Sequence, residues 1–66
     1  MTDAQLHHIF VEVAIGRGRH GGFLRSFADA VTHADGENFE LLKPAMESLV
    51  AKYPLEQYLD TFQAAS

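Results

Sequence analysis

Two arginines and a histidine stand among four of the chain's five glycines in the run Gly16-Arg17-Gly18-Arg19-His20-Gly21-Gly22. Glycine leaves backbone N–H groups accessible and arginine supplies fixed positive charge, so the chemistry this run suits is anion binding. The ligand is expected to be a phosphate or an acidic protein patch, met by Arg17, Arg19 and His20, with Arg25 close behind. A helix opening near Gly22 would add the field of its free N–H groups. The spacing is not that of a nucleotide loop: no lysine-hydroxyl pair follows the glycines and no strand precedes them. The plainer alternative is a flexible interhelical elbow whose arginines are solvated, or paired with Glu or Asp of the C-terminal half.

The remaining reactive side chains point to less. His7, His8, His20 and His33 are the histidines, and His8 and Glu12 fall at i,i+4 on one helix face. A metal site needs three or four convergent ligands, and the His-Glu-x-x-His spacing of zinc proteases is missing, so no metal is expected. His33 near a helix C-terminus favours the helix dipole when protonated. Glu37, Glu40 and Glu47 form an acidic face, with Glu40 and Glu47 one heptad apart. Paired catalytic acids need a cleft that separates them and shifts a pKa, which so short a chain seldom builds. Ser26, Ser48, Thr32 and Thr61 lie in no nucleophile motif. No catalytic residue and no cofactor are expected.

Charge is unevenly placed. Residues 1–34 set Asp3, Glu12 and Asp29 against Arg17, Arg19 and Arg25 and are neutral, so residues 35–66 carry the whole net charge of −4. A broad basic surface for nucleic acid is therefore disfavoured. The acids Asp35, Glu37, Glu40, Glu47, Glu56 and Asp60 serve solubility, or imitate the phosphates that occupy a basic groove. There is no cysteine, which removes disulfides and thiolate metal sites and fits a reducing compartment. No apolar run approaches the ~18 residues of a membrane span, and nothing resembles a signal peptide, so a cytoplasmic protein is expected.

The elements that must position these residues are helical. Thr2-Asp3-Ala4-Gln5 reads as a capping box, followed by Leu6, Ile9, Phe10 and Val13 at helical spacing, so a helix is predicted over 3–15 with Gly16 ending it. Phe23, Leu24, Phe27, Ala28, Val31 and Ala34 predict a second over 22–34, in which Arg25 and Asp29 can pair at i,i+4. Asp35 is placed as N-cap of a third over 36–53, broken or kinked at Pro44, and Leu55, Tyr58, Leu59 and Phe62 predict a short helix over 55–62. The fold class is all-α, one compact bundle of three main helices plus one or two short ones, spanning 1–66. The expected core is Leu6, Ile9, Phe10, Val13, Phe23, Phe27, Val31, Leu42, Leu49, Val50, Tyr58, Leu59 and Phe62. Ile15, Leu24, Phe39, Met46, Tyr53 and Leu55 are surplus; they line a dimer or partner surface, or close a slightly larger core.

The runs from Gly21 to Ala30 and from Ala34 to Pro44 resemble small uncharacterised proteins of phages and other mobile elements, over about half the chain. That family has no assigned activity. The resemblance implies a setting in which short proteins act by binding a macromolecule. The leading expectation is a non-enzymatic module that binds a protein partner through residues 16–22, with Phe39 or Tyr53 as aromatic anchors. The alternatives are an inhibitor of a nucleic-acid-binding machine, of the anti-CRISPR kind, acting through the acidic face, and a small nucleic-acid-binding regulator using the arginines.

Overall fold

The chain begins with a satisfied helix start. The Thr2 hydroxyl accepts from the Gln5 backbone N–H at 3.1 Å, and the Gln5 side chain accepts from the Thr2 backbone N–H at 2.8 Å. This capping box opens α1 (Asp3–Ala14). A computed structural model, which describes residues 1–63, continues with a short 3-10 turn (Arg17–Arg19), α2 (Gly22–His33), α3 (Gly36–Lys52) and a C-terminal 3-10 segment (Leu55–Thr61). The protein is all-α, as its apolar spacing predicts. Of the small, polar end 63–66, expected to fray, residues 64–66 lie outside the described residues.

Each junction has a local cause. Gly16 adopts a φ of 100°, the left-handed conformation that ends a helix at low cost only for glycine. Asp35 caps α3, its carboxylate accepting from the Asn38 backbone N–H at 2.8 Å. α3 runs through Pro44 as one α-helix. Pro44 is exposed, so the carbonyl it leaves without an N–H partner can turn to water.

The core is formed by Leu6, Ile9, Phe10 and Val13 of α1, Leu24, Ala28 and Val31 of α2, Met46 and Val50 of α3, and Leu55 and Tyr58. α1 is the hub: it packs on α2, on the 3-10 turn and on the C-terminal segment. Lys43 of α3 ties to its N-terminus through Asp3 at 2.9 Å. That ion pair raises the Lys43 pKa, chiefly through the hydrogen bond to Asp3.

Several expected core positions shift. The buried stripe of α2 centres on Leu24, Ala28 and Val31, which puts Phe23 off the stripe and 65% exposed. Phe27, Leu42, Leu49 and Leu59 are half-buried at the edge of the core rather than inside it, and Phe62 is also half-buried. Of the surplus residues, Leu24, Met46 and Leu55 are core, Phe39 and Tyr53 pack against it, and only Ile15 stands free. The last helix is 3-10, not α. In a 3-10 helix residues at i and i+3 align, which stacks Leu55, Tyr58 and Thr61 along one stripe. Leu55 and Tyr58 are buried there, and Thr61 bonds to α1.

Candidate functional site

The Gly16–Gly22 run folds as a tight turn between α1 and α2. Gly18 has a φ of 80°. A β-carbon at Gly18 would overlap the Tyr58 hydroxyl and lie 2.7 Å from His20 Nε2, so the position needs glycine for space as well as for conformation. His20 Nε2 shares a hydrogen bond of 2.7 Å with the Tyr58 hydroxyl. The His20 ring also meets Tyr53 edge-on, with centroids 6.2 Å apart.

Arg17 points into its own chain. Its Nη1 and Nη2 donate to Asp60 Oδ1 and Oδ2 at 2.9 and 2.7 Å, a bidentate pair. Nη1 also reaches Glu12 at 3.4 Å, and the guanidinium lies 4.5 Å from the centre of the Tyr58 ring. The pair holds the Asp60 carboxyl below its ordinary pKa, chiefly through the hydrogen bond from Arg17 and then its charge. It raises Arg17 for the same reason. Thr61 extends the cluster by donating its hydroxyl to Glu12 Oε1 at 2.5 Å. A hydroxyl has one proton to give, so the 2.9 Å contact between Thr61 Oγ1 and His8 Nε2 is donated by His8. His8 Nε2 also lies 3.6 Å from Glu12.

The seven-residue run is therefore anchored at Arg17 and His20 and is not a free elbow. Of the two readings open for its arginines, internal pairing describes Arg17. Arg19 differs: it is exposed, its φ is 52°, and among the described residues no carboxylate comes within ion-pair distance. Non-glycine residues seldom hold that conformation, and where they do the site often has a task beyond packing. Exposed apolar side chains flank it, Ile15 at 72% and Phe23 at 65%. Arg25 is exposed too and lines a shallow depression with Ala14, Gly22, Ser26 and Asp29. The expected Arg25–Asp29 ion pair is not made. Asp29 instead lies 3.8 Å from His33, whose Nδ1 donates to the Asp29 carbonyl at 2.9 Å.

The acidic face is less uniform than its spacing suggests. Glu37, Glu40 and Glu47 are all exposed, but Glu40 pairs with Lys43 at 3.4 Å. Asp35 is engaged as a cap and Asp60 by Arg17. The aromatic anchors expected at Phe39 and Tyr53 pack against the core, and Phe23 is the exposed ring. No group of three or more histidine and carboxylate side chains with metal-binding geometry occurs among the described residues. No helix among them is long and apolar enough to cross a membrane.

Sequence reading named Arg17 and His20 but not what they grip. Tyr58, Asp60, Thr61 and Glu12 complete the cluster; its signals in the sequence were the i,i+4 spacing of His8 and Glu12 and the acids of the C-terminal half. Comparison with protein-family models, curated proteins and solved structures gave no match.

Proposed function

We propose that the chain is a non-enzymatic, cytoplasmic binding module that docks on a protein partner through the end of the α1–α2 hairpin. Arg19 is its charged contact and Phe23 its apolar anchor. One observation carries this reading: Arg19 is held exposed in a left-handed conformation, without a carboxylate partner among the described residues, while Arg17 two residues away is used inside the fold. An unpaired arginine beside exposed apolar side chains is the combination that interface hot spots favour. The partner surface is a carboxylate next to an apolar hollow. Nucleic acid is disfavoured, because the chain carries a net −4 and keeps only Arg19 and Arg25 unpaired near the loop among the described residues. The phage or mobile-element setting implied by the sequence resemblance belongs to the same proposal.

The experiment is capture of a partner from the native host by the intact chain, by Arg19→Glu and by Phe23→Ser. Helicity is checked by circular dichroism. The reading expects both variants to fold and to lose the partner. Equal capture by folded Arg19→Glu and the unaltered chain overturns it.

A further inference from the structure

The basic end of the hairpin has a counterpart elsewhere on the same chain. A groove of about 200 Å³ is lined by Met1, Leu6, Glu47, Val50, Ala51 and Glu56. It lies below the ~300–1,000 Å³ of small-molecule sites and suits a single inserted side chain. Its floor is apolar, since Leu6 and Val50 belong to the core, and its rim carries two carboxylates. Among the described residues neither Glu47 nor Glu56 has a cation within ion-pair distance, and both are exposed.

The two surfaces answer each other in charge and in character. The hairpin end offers Arg19, which has no carboxylate partner among the described residues, together with exposed Phe23 and Ile15. The groove offers two unpaired carboxylates around an apolar floor. They cannot meet within one molecule: Leu6 marks the groove and Ile15 the hairpin end, nine residues or about 13 Å apart along the rigid α1 axis. We propose that the groove receives the Arg19–Phe23 end of a second copy of this chain. Phe23 enters above Leu6 and Val50, and Arg19 meets the Glu47 and Glu56 carboxylates on the rim. The proposal rests on the loop reading above and names the partner of that same surface. Two different patches make the contact, so each copy keeps a free loop and a free groove, and association runs head to tail instead of closing a two-fold dimer.

The test is sedimentation of the intact chain at low salt over a wide concentration range, with two double variants. One removes the loop surface (Arg19→Ala with Phe23→Ser), the other the groove charges (Glu47→Lys with Glu56→Lys). The altered positions are exposed, and circular dichroism checks that both variants fold. The unaltered chain is expected to grow in mass with concentration. It should dissociate as added salt shortens the screening length from ~30 Å at 0.01 M to ~3 Å at 1 M. Each variant alone should associate at least about tenfold more weakly, as expected when one side of an interface charge contact is lost. Mixed, the two should form a one-to-one dimer that grows no further, because only one loop and one groove remain intact. A chain that stays monomeric at every concentration, a species that saturates as a two-fold dimer, or a mixture that gives no dimer overturns the proposal. If the chain is monomeric yet captures another protein in an Arg19-dependent way, self-association falls and the loop reading stands. If Arg19→Glu changes neither, both fall.

Discussion

The Arg17 guanidinium faces the Asp60 carboxylate through two hydrogen bonds, 2.9 and 2.7 Å long, across 43 residues of sequence. This pair fastens the turn after α1 to the C-terminal 3-10 segment. Arg17→Lys keeps the charge and loses the fork. Hydrogen exchange should therefore show faster opening of residues 55–61 in Arg17→Lys and Asp60→Asn. The double variant should add little to either single one, because both remove the same contact. Additive effects would show that the two residues act separately.

The same pair sets an acid limb. The Asp60 pKa is depressed in the fold, so its stabilising contribution is present above the unfolded value of about 3.9 and disappears as pH falls through the lower folded value. At neutral pH Asp60→Asn should be less stable than the unaltered chain, and the difference should vanish in strong acid. Lys43 has the opposite sign. Its raised pKa gives a contribution that is complete below about 10.4 and lost as pH rises through the folded value. Urea titrations at several pH values check both.

Gly16 and Gly18 separate conformation from space. Both have positive φ, but a β-carbon at Gly16 meets nothing within 4 Å. Gly16→Ala should cost the left-handed penalty, about 1–2 kcal/mol. Gly18→Ala adds a collision with Tyr58 and His20 and should cost more, on the order of 2–4 kcal/mol with strain and clash together. Loss of the His20–Tyr58 hydrogen bond, followed by the histidine ring resonances, should accompany it.

Neighbouring residues on α2 give a sharp contrast. Leu24 is 2% exposed and Phe23 65%. Leu24→Ala should lose about 2–5 kcal/mol as a core truncation. Phe23→Ser should stay within about 0.5 kcal/mol, as exposed substitutions do. Equal losses would place Phe23 back in the core, where its sequence stripe had it.

That stripe shows what was legible. Helix starts were, because Thr2 and Asp35 carry their own capping chemistry. The all-α class was, because spacing at i, i+3 and i+4 recurs from Leu6 to Phe62. The choice between Phe23 and Leu24 was not: both lie on an apolar arc, and only the direction from which α1 packs decides which one it buries. The 3-10 geometry of the last segment was hidden for a related reason, since Leu55 and Tyr58 are three apart and satisfy either period. Sequence allowed Arg17 an acidic partner within the chain but could not choose Asp60 among six acids of the C-terminal half. Charge reaches that choice only after Tyr58 has been buried beside the turn.

The C-terminal segment also sets an order of events. Leu55 and Tyr58 fill the core of α1, and Thr61 closes bonds to Glu12 and His8 across 49 and 53 residues. Helices α1 and α2 can pair through contacts near in sequence, but the core of α1 is completed only when residues 55–61 dock on it. Closure of the fold therefore waits on contacts far apart in sequence, which cost loop-closure entropy before they return any packing.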